Sequence, residues 1–73
     1  MKITKTTGGS SYAHKTILEK FDSRKAKQRI KIGSNIHEVK KVSKNELFVT
    51  VYGKSYNSTR YNKFVEAYTI YCS

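Results

Sequence analysis

The chain has 73 residues, room for one core and no second, and folding at this size buries only about 60% of the surface the unfolded chain exposes. Fifteen Lys and Arg against five Asp and Glu leave a net charge of +10, which excludes a cationic partner and favours a polyanion. One cysteine, Cys72, excludes an internal disulfide, and no run approaches the ~20 apolar residues of a membrane-spanning helix.

These bounds describe a single basic domain over residues 1–73. MKITKTTGGSS lacks the continuous apolar stretch of a signal peptide, so the expected setting is the reducing cytoplasm, with no membrane partner. Twelve of the fifteen cations are Lys, and the company of Asn, Tyr, Ile and Phe suggests A/T-rich codons. Such codons explain lysines. They do not explain missing acids, because Asp and Glu codons tolerate the same bias, so the imbalance is read as functional.

In chain order, Lys2 to Thr6 alternates weakly around Ile3, as a short edge strand does. Gly8-Gly9-Ser10-Ser11 then breaks the pattern and supplies a helix N-cap. Ala13, Ile17 and Phe21 recur at i, i+4, i+8 with Leu18 beside them, predicting a helix over about 11–23 whose other faces hold His14, Lys15, Glu19, Lys20 and Asp22. Free N–H groups at its start suit a phosphate, but capping alone accounts for every residue there.

RKAKQRIKI, residues 24–32, carries five positive side chains and no negative one. If it is extended, Lys25, Lys27, Arg29 and Lys31 share one face while Ala26, Gln28, Ile30 and Ile32 share the other. As a helix the same cations scatter, and Ile30 and Ile32 part. Period two therefore predicts a strand over about 27–32.

Gly33-Ser34-Asn35 is turn chemistry, Ile36 to Val42 reads as the next strand, and Ser43-Lys44-Asn45 leads as a hairpin into ELFVTVYG. There Leu47, Val49 and Val51 form the core face, with Phe48, Thr50 and Tyr52 opposite. After the polar stretch GKSYNSTRYN, FVEAYTIYC closes the chain with apolar groups on both faces: Phe64, Tyr68, Ile70 and Cys72 against Val65, Ala67 and Tyr71. Such a strand lies inside its sheet or in a homodimer interface. The fold expected is α+β, one N-terminal helix on an antiparallel sheet of three to four strands, with the short N-terminal edge strand as an addition.

One helix covers one face, so the other meets water or a partner. On it the pattern gathers Lys25, Lys27, Arg29 and Lys31 beside Phe48 and Tyr52, cations for phosphates and rings for unpaired bases. A second patch interleaves Lys54, Tyr56, Arg60, Tyr61 and Lys63 in the loop before the last strand. The reading is a non-enzymatic protein that binds RNA or single-stranded DNA in preference to duplex, as monomer or homodimer and without cofactor. The alternative class is a modulator that docks its basic surface on an acidic protein.

Catalysis has thinner support. His14, His37, Cys72 and the scattered carboxylates show no catalytic or metal-ligand spacing. A small ribonuclease is the third reading, and it requires the fold to unite His37, Glu38, Arg60 and Tyr61. Cys72, beside Ile70 and Tyr71, reads as a small buried apolar group rather than a nucleophile.

Overall fold

The clearest alternation in the chain, Leu47-Val49-Val51 against Phe48-Thr50-Tyr52, lies in the middle strand of a five-stranded sheet. In a computed structural model that describes residues 2–54 and 60–73, the order is β1 (Ile3–Thr6), α1 (Ser11–Lys20), β2 (Lys27–Ile32), β3 (Asn35–Ser43), β4 (Glu46–Gly53) and β5 (Lys63–Cys72). The sheet is antiparallel throughout, in the spatial order β1-β5-β4-β3-β2. The class is α+β, with five strands where three or four were expected. The fifth is β1, the short N-terminal edge strand that the pattern offered as an addition, which sets Ile3 against Cys72 and Thr6 against Ile70.

The β2–β3 connection is the two-residue turn Gly33-Ser34 between the partners Ile32 and Asn35, with Gly33 at φ +61°. Tight hairpin turns need that left-handed conformation, which only glycine adopts at little cost. β5 is an internal strand only in part. β1 pairs with it from Ile70 onward and Thr7 reaches Thr69, which leaves the outer edge of residues 63–67 without a neighbour among the described residues.

A bulge in β5 overturns one expectation. Val51 pairs with Glu66 but Tyr52 pairs with Phe64, so Val65 is an inserted residue and the alternation changes phase there. Phe64 therefore shares a face with Tyr52 rather than with Tyr68 and Ile70, and is 60% exposed.

α1 covers the other face. Ser10 caps it, its hydroxyl accepting the Ala13 N–H at 3.2 Å. Ala13 and Ile17 are buried on Val39, Val49, Leu47 and Ile70, with Leu18 and Phe21 packed alongside. The helix stops at Lys20 rather than 23, because Gln28 on β2 takes over its end: Gln28 Nε2 donates to the Lys20 carbonyl at 3.1 Å and its Oε1 accepts the Asp22 N–H at 2.8 Å. Asp22 then holds a turn. Its Oδ1 accepts from the Arg24 backbone N–H at 3.0 Å and the Arg24 guanidinium at 3.1 Å, while its carbonyl accepts from Lys25 N–H at 2.9 Å. The Arg24 side chain, then its backbone N–H, holds the Asp22 carboxyl below its ordinary value.

The helix start is fixed just as closely. His14, expected to point away from the core, is buried; its Nε2 donates to the Gly8 carbonyl at 2.6 Å and its ring meets Tyr68 edge-on at 5.3 Å. Gly9 crosses this pair at φ +80°, where an added Cβ would lie 2.6 Å from Tyr68 Cζ and 2.8 Å from His14 Nε2. The backbone angle and the close approach both demand glycine there.

Gly9→Ala should therefore destabilise the fold by about 2–3 kcal/mol, combining left-handed strain with displacement of a ring. Gly33→Ala, at φ +61° with nothing near its Cβ, should lose only the strain, about 1 kcal/mol. Urea midpoints at unchanged m value measure both. Equal losses would mean that Tyr68 and His14 step aside freely.

Candidate nucleic-acid interface

Strand pairing lays out the uncovered face in three rows. Lys27 stands opposite Lys40, Lys40 opposite Phe48, and Phe48 opposite Thr69. The next row runs Arg29, Glu38, Thr50, Ala67, and the third runs Lys31, Ile36, Tyr52, Phe64. Cations thus line β2 and rings line β4 and β5. Two strand spacings, about 10 Å, separate Lys27 from Phe48, with the Lys40 ammonium between.

Phe48 is 38% exposed, Phe64 more so, and Tyr52 half-buried, so each ring keeps a surface open to solvent. Lys27, Arg29, Lys31 and Lys40 are all exposed. Two carboxylates share the face. Glu38 accepts from Arg29 Nε at 3.3 Å, and Glu46 sits at the far end opposite Tyr71. The Arg29–Glu38 pair is solvated and contributes under about 1 kcal/mol, so it steers the guanidinium without cancelling the charge of its neighbours.

Lys25 does not join this face. It belongs to the turn that Asp22 organises, two residues before β2 begins. In period and position the strand itself is as expected, from Lys27 to Ile32.

The loop patch is different in kind. Lys54 places its Nζ 5.3 Å from the centroid of the Tyr61 ring, a cation–π contact that engages one ring face from within the chain. Tyr61 is half-buried, Arg60 and Lys63 are exposed, and Tyr56 lies outside the described residues. At the helix start, Ser10 is occupied in capping and Gly9 in passing Tyr68, which satisfies the capping reading of that segment.

His37 and Glu38, consecutive on β3, point to opposite faces, so the four residues of the ribonuclease reading do not meet at one point. His37 faces the helix side, in a row with Ile30, Val51 and Glu66. Burial holds its imidazole below its ordinary value of 6.5, and the Glu66 charge pulls it back only in part. Tyr68, with the same neighbour, is pushed up to about 12, by burial first and Glu66 second. Cys72 is buried as expected, its thiol raised by burial. Among the described residues no group of three His, Cys, Asp or Glu side chains is placed to hold a metal ion, and no helix is long and apolar enough to cross a membrane.

The sequence pattern found the cation row and the rings of β4. It missed Lys40, which falls in phase with Lys27 only once β2 and β3 are in register, and Phe64, which only the bulge turns over. It also missed Glu66, whose neighbours come from β3 and β4.

His37 carries a pH consequence. The unfolded chain takes up this proton at a higher pH than the folded one, so stability is fully present above about 6.5 and declines as pH falls towards the lower folded value. Urea titrations across that window should show the slope, and His37→Gln should flatten it. An unchanged slope in the variant would place its origin elsewhere.

Comparison of the chain with protein-family models, with curated proteins and with solved structures finds no match, so fold and surface chemistry are the grounds for function.

Proposed function

We propose that the protein binds single-stranded nucleic acid, RNA or DNA, on the sheet face opposite its helix. One observation carries the reading: an uncovered face on which Lys27, Arg29, Lys31 and Lys40 run parallel to the exposed rings of Phe48 and Phe64 and the half-buried ring of Tyr52. Ammonium and guanidinium groups neutralise phosphates, and each ring stacks on a base for about 1–3 kcal/mol. A duplex hides its base faces, so it meets the cations alone. The short helix offers little to a major groove, since its inner side is committed to the core through Ala13, His14 and Ile17.

The same cations fit an acidic protein surface, the competing class. The rings separate the two. A protein partner gives no preference for unpaired bases, and no salt slope that scales with the number of phosphates contacted.

Fluorescence anisotropy with labelled 20-mers tests the reading. If about six phosphates are contacted, log affinity for a single strand should fall against log salt with a slope of about −4, at roughly −0.7 per phosphate. Replacing Lys27, Arg29 and Lys31 together by Gln should weaken binding to all sequences alike and bring the slope to about −2. No binding of any 20-mer at tens of micromolar would end the proposal in favour of an acidic protein.

The rings give a second test. Phe48→Leu and Phe64→Leu keep an apolar side chain on the exposed face but remove the stacking surface. Each should weaken single-strand binding about 5- to 150-fold, the counterpart of about 1–3 kcal/mol, and leave duplex binding almost untouched. Equal losses on single strands and duplex would refute stacking.

A further inference from the structure

On the helix side of the sheet, a pocket of about 540 Å³ opens between the start of α1, the Gly33-Ser34 turn and the beginning of β5. Ile32, Val51 and Val65 form its apolar walls, and its polar groups are Ser10, Ser34, Asn35, His37 and Glu66. His37 is only 7% exposed, and its Nδ1 is enclosed with no hydrogen-bond partner among the described residues. Tyr68, one pleat along β5 from Glu66, buries its hydroxyl equally unpaired. An enclosed polar atom without a partner costs free energy, and among the described residues His37 is the one of this pair that lines the pocket.

The lining defines the ligand. Among the described residues Glu66 is the only charged side chain around the pocket, and it is exposed at the rim, so it opposes an anion that the helix N-terminus alone would welcome. Apolar walls with a carboxylate at the rim and an imidazole, a carboxamide and two hydroxyls around them suit a heterocycle that offers N–H donors. Among the bases, guanine presents two adjacent donors, the ring N–H and the exocyclic amino group, matched to the two oxygens of a carboxylate. Adenine and cytosine set one amino donor beside a lone pair that faces the second oxygen, and uracil flanks one N–H with two carbonyls. Ser10, whose hydroxyl oxygen already accepts from Ala13 N–H, keeps its O–H free to donate to the guanine carbonyl.

The pocket also lies within reach of the open face. Phe64 is on that face and Glu66 on the other, with the bulged Val65 between them, on the stretch of β5 whose outer edge is unpaired among the described residues. A strand running along Lys31, Tyr52 and Phe64 rounds this edge and arrives at the pocket.

We propose that the pocket receives one unstacked guanine, held at its donor edge by the Glu66 carboxylate, between the walls of Ile32, Val51 and Val65. The proposal rests on the single-strand reading for its biological ligand, but the pocket is testable without it. Labelled protein is titrated by NMR with guanosine, adenosine and inorganic phosphate, following the His37 ring and the Val51 and Val65 amides. Guanosine should shift these resonances with a midpoint about 5- to 150-fold lower than adenosine, the discrimination expected of one bidentate pair, and Glu66→Gln should abolish the difference. Equal response to both nucleosides, no response to guanosine, or response to phosphate alone overturns the proposal.

A 12-mer of uridine is then compared with the same 12-mer carrying one central guanosine. The guanosine strand should bind at least about fivefold tighter, and the ratio should fall to one in Glu66→Gln. If both strands bind alike and guanosine leaves His37 unmoved, the pocket proposal falls while the open-face reading stands. If guanosine moves His37 while neither 12-mer binds, the pocket stands and the open-face reading falls.

Discussion

A helix of ten residues, about 15 Å long, lies on one side of a five-stranded sheet, and the described residues provide no second layer for the other side. Everything else depends on where that helix is held. Its own apolar stripe is too narrow to decide the matter, since only Ala13, Ile17 and partly Leu18 meet the sheet. Polar contacts at both ends do the holding. At the start, Gly9 lies against Tyr68 while His14 grips the Gly8 carbonyl; at the end, Gln28 bonds both the last helical carbonyl and the Asp22 N–H. Each end is thereby fastened to a different strand, β5 and β2, and the helix spans the sheet between them.

That arrangement assigns the two faces of every strand. Gln28, Ile30 and Ile32 turn to the helix side because Gln28 is needed at the helix end and the isoleucines are needed in the core. Lys27, Arg29 and Lys31 are then left outward by alternation alone. A slip of one residue would bury three cations in an apolar layer, a cost no core of this size can meet, so the core residues and the cations specify the same register.

Local pattern was enough for much of this. The limits of β2 and β4, the Gly33 turn, a helix cap at Ser10 or Ser11 and the core set Leu47, Val49 and Val51 are all legible because each depends on neighbours in sequence. What escaped depends on distant pairing. The bulge at Val65 has no local mark, since Phe-Val-Glu-Ala alternates plausibly in either phase, and the partner strand alone decides which residue is extra. His14 falls one position from the apolar stripe and reads as outward until Tyr68, 54 residues on, provides a ring for it to meet. The Glu66–His37 row likewise joins β5 to β3 across β4, a relation that no spacing in the sequence encodes. The helix length failed for a related reason: Gln28, not any residue of the helix, ends it.

The basic row on β2 has an ordinary explanation that must be met directly. β2 is an edge strand, and natural sheets put lysines on their edges to deter pairing with other chains. Edge protection accounts for Lys27, Arg29 and Lys31. It does not account for Lys40, which stands on β3 inside the sheet, nor for the exposed ring of Phe48 on β4. At β5 the open edge of residues 63–67 is mixed: the exposed apolar side chains Phe64 and Val65 lie between the exposed charges Lys63 and Glu66. Between the two edges lies a single surface that grades from cations on β2 and β3 to rings on β4 and β5, a gradient that edge protection alone does not produce.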